Sequence, residues 1–146
     1  FQHWTAKTQK ADPVQHILFT VCLRESDEPI GSVGIYGTDY VNGCAESGSR
    51  IYRAEYRGGG YGSEAKHLMF DYAFNDLNLH TLYSTVIYPN TRSAAALRKQ
   101  GYREVGSLHW DFPSHGGFEN FVTFELLASE WRAMPRTTAG AEGDRS

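Results

Sequence analysis

Arg57-Gly58-Gly59-Gly60-Tyr61-Gly62-Ser63-Glu64-Ala65 is the stretch on which the fold turns. Three consecutive glycines, and a fourth two residues later, run into a segment with helical apolar spacing. Glycine lets backbone N–H groups turn inward and approach a ligand closely. A helix beginning there adds unpaired N–H groups and the positive end of its dipole. Together these make a site for phosphate groups. Three phosphate motifs compete for the residues. A Walker-type loop requires Lys before Ser63, and Gly62 stands there. A dinucleotide fingerprint, Gly-x-Gly-x-x-Gly/Ala, fits Gly60, Gly62 and Ala65, but it also needs an acidic residue after the next strand to hold a ribose. The next strand-like run, 81–87, ends instead in Tyr88-Pro89-Asn90. The third pattern, Arg/Gln-x-x-Gly-x-Gly/Ala, fits Arg57, Gly60 and Gly62. Taken alone, the loop is also compatible with a plain strand-to-helix turn.

The residues around the loop narrow the choice. Asn90-Thr91-Arg92-Ser93 opens a second helical segment, and Leu97-Arg98-Lys99-Gln100-Gly101-Tyr102 closes it. Upstream stands Glu28-Pro29-Ile30-Gly31-Ser32-Val33-Gly34; downstream stand Gly117 and Leu126-Leu127-Ala128-Ser129-Glu130-Trp131. In this order and spacing, residues 19–131 resemble the GNAT superfamily of acyl-CoA N-acetyltransferases, and within it the ribosomal-protein alanine N-acetyltransferase branch. The resemblance implies an α/β fold: a mixed, mostly antiparallel sheet flanked by helices and split by a V-shaped cofactor cleft. It also implies that a strand and helix usually present before the first hairpin are missing, since about fourteen residues precede it and the chain opens at Phe1 without Met.

The 146 residues, 14% aromatic and 40% apolar, suit one globular domain, expected over 1–135, with a small, polar, disordered tail over 136–146. A net charge of −3 gives no reason to expect nucleic acid or membrane as a partner. No apolar run approaches the roughly 20 residues of a membrane helix. No secretory signal is visible, so the expected compartment is the cytoplasm. Cys22 and Cys44 read as free buried thiols, and the six histidines show no ligand spacing, so no metal is expected.

Strands are expected over 16–24, which is β-branched and aromatic, over 30–36, over the more polar 46–52, and over 82–87, 102–110 and 121–127. A turn falls at 26–29 and a loop at 38–43. The end of a helix is expected over 1–13. Helices are expected over 61–77, with Ala65, Leu68, Met69, Tyr72 and Ala73 on the buried face, and over 91–100, with Asn90 as N-cap and Gly101 as stop.

Acetyl transfer to an amine needs phosphates held, a carbonyl polarised, an amine deprotonated and a thiolate protonated. The glycine loop, Arg57 to Ser63 by way of Gly58, Gly59, Gly60, Tyr61 and Gly62, answers the first, with charge added by Arg57 and Lys66. Gly59 and Ala54 depart from the basic residue and Pro common in the family. The resemblance implies that backbone near Ile51, Tyr52 and Arg53 binds the pantetheine arm and polarises the carbonyl. It gives Ser93 the role of general acid and Asn90 that of holding the pantetheine. The plainer reading makes Asn90 a helix cap and Ser93 a first-turn residue. Arg98 and Lys99 either reach the nucleotide end of the cofactor or are solvated. Glu46 is the first choice for general base, against the reading of an exposed strand carboxylate. Tyr88, His109, Asp111, His115 and Glu119 are further candidates. The expected reaction is acetyl-CoA-dependent N-acetylation of a primary amine, on a protein N-terminus or a small molecule, by a homodimer paired through an unfilled N-terminal sheet edge. The alternatives are a non-catalytic acyl-CoA-binding or sensing module and a nucleotide-binding domain.

Overall fold

The computed structural model describes residues 13–112 and 117–135. The expected tail over 136–146, and all but Pro13 of the expected N-terminal helix end, lie outside them. Strands β1 (Ile17–Cys22) and β2 (Pro29–Asp39) form an antiparallel hairpin. Its turn is closed by Leu23 N–H donating to Glu28 O and Asp27 N–H donating to Leu23 O. Strand β3 (Cys44–Ile51) lies antiparallel to β2. A short 3-10 turn, Ala54–Tyr56, and the glycine loop lead into helix α1 (Tyr61–Asp71), which runs on as a π-turn over Tyr72–Asp76. Strand β4 (Thr81–Ile87), helix α2 (Thr91–Lys99), strands β5 (Arg103–Phe112) and β6 (Gly117–Leu127), and helix α3 (Ala128–Ala133) complete the described chain.

The six strands form one sheet in the order β1-β2-β3-β4-β6-β5. Every adjacent pair is antiparallel except β3 and β4. That parallel ladder is short: Cys44, Ala45 and Glu46 face Thr81, Leu82 and Tyr83, and pairing then stops although both strands continue. The sheet is the mixed, mostly antiparallel one expected, and it opens between β3 and β4. Val33, Ile35, Ala45, Leu82, Val86, Phe124 and Leu126 from the sheet share one core with Met69, Phe70, Ala73, Phe74, Leu97, Tyr102 and Trp131. By strand alternation Glu46, Tyr83 and Thr85 take the face opposite Ala45, Leu82 and Ser84.

Three expectations need correction. The loop expected over 38–43 shrinks to a tight turn, because the Asp39 carboxylate accepts the N–H groups of Val41 and Asn42, each at 2.9 Å. The buried stripe of α1 is rotated from the expected one: Leu68 is 71% exposed, while Lys66 is 1% exposed and lies in register with Met69, Phe70, Ala73 and Phe74. Phe70 and Phe74 carry more apolar area than Leu68 and Tyr72, so they set the rotation. Cys22 is free but exposed, because it ends β1 at a register shift. After β6 the chain turns into α3, where the Glu130 carboxylate accepts the Leu127 N–H at 3.1 Å and Trp131 packs on Phe74.

Gly101 stops α2 as its position predicts: its φ is +100°, and Tyr102 N–H returns to Leu97 O at 3.0 Å. Among the described residues β1 pairs only with β2 and stands at one edge of the sheet. No helix of the described residues is long and apolar enough to cross a membrane.

Candidate active site

The gap between β3 and β4 continues into two joined cavities. The inner one, about 520 Å³, is lined by Glu46, Ser47, Lys66, Ser84 and Thr85, with Asn90, Ser93 and Gln100 along one wall. The outer one, also about 520 Å³, is lined by Ile51, Arg57, Gly58, Gly60, Tyr61, Gly62, Ser63 and Lys99. Asn90, Ser93, Ala96 and Gln100 belong to both, which makes them one continuous cleft.

The outer end is built by the glycine loop. Gly60 is the N-cap of α1, with φ +87°, and makes no side-chain cap bond. The first-turn N–H groups therefore have no partner from a capping side chain. A Cβ built on Gly58 or Gly60 meets nothing within 4 Å, so both glycines border open space. Open space at an uncapped helix start suits an anionic group, and a side chain there would fill it. Arg57 holds the loop's shape: its Nε donates to Ile51 O and its Nη2 to Tyr52 O, both at 3.1 Å. Arg53 pairs with Glu28. Tyr52 N–H is taken by Ile30 O at 2.9 Å. Ile51 lines the outer cavity, whereas Tyr52, Arg53 and Gly59 are not among its lining residues.

At the α2 wall, Asn90 Oδ1 accepts the Ser93 N–H at 3.1 Å. The cap and the cleft position of Asn90 are thus both realised. Arg98 points away, pairing with Glu104 at 2.6 Å and lying over the Phe124 ring. Lys99 lines the outer cavity. Gln100 is nearly buried: its Nε2 donates to Ser63 Oγ at 3.1 Å, linking α2 to the glycine loop, and its Oε1 has no partner.

On the inner rim, Glu46 Oε1 accepts from Thr85 Oγ1 at 3.0 Å. Beneath lies a polar cluster that the sequence reading did not single out. Lys66 Nζ donates to Ser47 Oγ at 3.3 Å; Ser47 Oγ donates to Tyr83 O at 3.2 Å and lies 2.5 Å from the Tyr102 hydroxyl. Lys66 Nζ also stands 4.8 Å from the Tyr102 ring centroid. Burial pulls the Lys66 ammonium down to about 7, with Glu46 acting weakly in the other direction. Burial raises the Tyr102 phenol, and its bond to Ser47 opposes this. Lys66 was expected to add charge at the phosphates; it lines the inner cavity instead. Its place four residues after Gly62 and four before Phe70 was the available signal. Tyr88 is exposed and borders neither half of the cleft, His109 is exposed, and His115 lies outside the described residues.

A sheet split at its parallel step, a glycine loop opening the helix after it and a cleft walled by the next helix make up the GNAT architecture. The sequence profile of the Acetyltransferase (GNAT) domain matches residues 1–103, and the chain belongs to that family. Similar curated proteins include the uncharacterized N-acetyltransferase p20 of Bacillus licheniformis, 33% identical over 77% of this chain and 63% of its own length. Spermidine N(1)-acetyltransferase of Escherichia coli strain K12 is 30% identical over 75% of this chain and 59% of its own. The dodecameric spermidine N-acetyltransferase of Vibrio cholerae superposes with a TM-score of 0.72 at 26% identity, covering 82% of this chain and 70% of that one. The chain spans about three fifths of the length of the curated relatives it matches. A putative ribosomal N-acetyltransferase of Bacillus subtilis stands among the relatives beside the spermidine enzymes, so the matches do not single out the ribosomal branch.

Proposed function

We propose that this chain transfers the acetyl group of acetyl-CoA to a primary amine. The observation that carries this reading is the continuous cleft from the Gly60 N-cap to Glu46, opening where the β3–β4 ladder stops. Its outer end offers N–H groups and open glycine surface to a pyrophosphate. Its middle offers an amide-bearing arm the facing edges of β3 and β4, unpaired with each other beyond Glu46 and Tyr83. At the inner end Glu46 takes the proton of the incoming amine, directly or through water, and Ser93 hydrogen-bonds the leaving sulfur. Acetyl-CoA supplies the activated acyl group.

For the acceptor we infer a small aliphatic amine of the polyamine class, supported by the spermidine enzymes among the relatives and by the carboxylate at the cleft's inner rim. We further place the protein in the cytoplasm, consistent with its two free thiols, as an oligomer of this chain. Thiol release measured over a panel of polyamines, peptide N-termini and aminoglycosides tests the reaction. Saturable acetyl-CoA binding with no acceptor turned over would replace it with an acyl-CoA-sensing role. Turnover of peptides alone would overturn the acceptor class.

A further inference from the structure

Lys66 stands out in this molecule. It is a lysine on the buried face of α1, 1% exposed, with one hydrogen bond, to Ser47 Oγ. No carboxylate among the described residues lies within 4.0 Å of it. Burying an ammonium so sparsely partnered is costly, and an apolar side chain would fill the same space at less cost. The geometry gives the cost a use. Lys66 lines the inner cavity together with Ser93 and Glu46. The groups around it are Ser47 from β3, Phe70 from its own helix and Tyr102 just beyond α2, with Glu46 on the other face of β3 acting on it through its charge. Glu46 is the only one of these that carries charge.

We propose that Lys66, held beneath the cleft by Ser47, delivers the proton to the departing thiolate of the acyl donor. This inference rests on the acetyl-transfer reading. Ser93 can hydrogen-bond a thiolate, but a serine hydroxyl is far too weak an acid to surrender its proton to one on balance. An ammonium that releases its proton near neutrality is matched to a thiol, whose ordinary range lies near 8.5. In the step, the amine nitrogen forms a bond to the acyl carbon and the carbon–sulfur bond breaks. The electron pair goes to sulfur, the Lys66 ammonium gives sulfur a proton, and Glu46 or water takes the proton lost by nitrogen. Lys66 is left as a neutral amine and is recharged from solvent through the open cleft before the next turnover.

The test titrates the thiol of bound CoA by thiolate absorbance in wild type and in Lys66→Met, with Lys66→Gln replacing Met if that variant aggregates. An ammonium close to sulfur favours the thiolate, so the wild-type complex is expected to titrate about 1–3 pH units below the variant. In turnover, the variant is expected to lose about 10²-fold in kcat with KM for acetyl-CoA nearly unchanged, and to lose the alkaline limb of the kcat profile. Superimposable thiol titrations would overturn the assignment. A clear difference in titration with no amine acetylated would overturn the acetyl-transfer reading and leave Lys66 beside the sulfur. Failure of the wild type to bind CoA would overturn both.

Discussion

Thr85 Oγ1 donates to Glu46 Oε1 at 3.0 Å across the point where β3 and β4 part. Glu46 is the last residue of β3 in the parallel ladder, and Thr85 lies two residues beyond its partner Tyr83. The bond spans the mouth of the split and fixes the carboxylate there. For Glu46→Gln, the rate is expected to fall most near neutral pH and to recover at higher pH, where more of the acceptor amine is already neutral. A ratio of variant to wild-type rates that stays flat from pH 7 to pH 10 would remove Glu46 as the base.

Gly60→Val is expected to abolish acetyl-CoA binding. The residue sits at φ +87°, where a β-branched side chain is strained, and its Cβ would enter the open space of the cradle. The strain costs about 1–2 kcal/mol, so the fold should survive, as thermal melting can verify. Calorimetry showing wild-type affinity in the folded variant would refute the loop assignment.

Ser93→Ala should lower turnover by about 10- to 1,000-fold, since water can partly substitute for the hydroxyl. Cofactor affinity should hardly change, because the lost interaction forms with the leaving sulfur. The Asn90 cap is unaffected, as it uses the Ser93 backbone N–H. Unaltered kcat at unaltered stability would reduce Ser93 to a helix-turn residue.

Lys66 gives stability a pH dependence whose sign can be worked out. Its folded-state value is depressed from 10.5 to about 7. Below about 7 both folded and unfolded chains hold the proton, and the fold bears the full cost of burying it. Between about 7 and 10.5 the unfolded chain binds more protons, so stability rises with pH. Lys66→Met should therefore be more stable than wild type at pH 6.5, by about 1–4 kcal/mol. That gap should narrow as pH approaches 10. Urea unfolding at both ends checks this, and a gap independent of pH would mean the ammonium reaches water in the folded state.

Among the described residues β1 stands at a sheet edge with Leu18 and Phe19 exposed, and such an edge is a template for pairing. Leu18→Lys is expected to shift the protein to monomer in light scattering. A wild type that is already monomeric at all concentrations would refute assembly through this edge.

Which parts of the fold were legible in the sequence follows the range of the interactions. Gly60, Asn90 and Gly101 mark helix ends through their own backbone torsions or a bond three residues away, and each was readable in place. The strands were readable from β-branched and aromatic runs set between turn residues, to within a few residues at each end. The rotation of α1 was not readable by the same means. Whether Leu68 or Lys66 faces inward depends on Phe70 and Phe74 finding Tyr102 and Trp131, some thirty to sixty residues away. The Lys66–Ser47–Tyr102 cluster joins three segments that no local pattern connects. Arg57 beside three glycines reads as a phosphate ligand, yet its two hydrogen bonds to Ile51 and Tyr52 carbonyls depend on a fold-back of the loop that spacing does not reveal.

The three-pair ladder between β3 and β4 divides the sheet into two leaves, β1-β2-β3 and β4-β6-β5, bound along a short spine. A ligand lying in the gap touches both leaves and does the joining that strand pairing leaves undone. Its binding should therefore be felt as mechanical closure. Amide exchange should slow on Ser47 to Ile51 and on Ser84 to Ile87 together, and the two leaves should melt as one body where the empty protein loosens first along the spine.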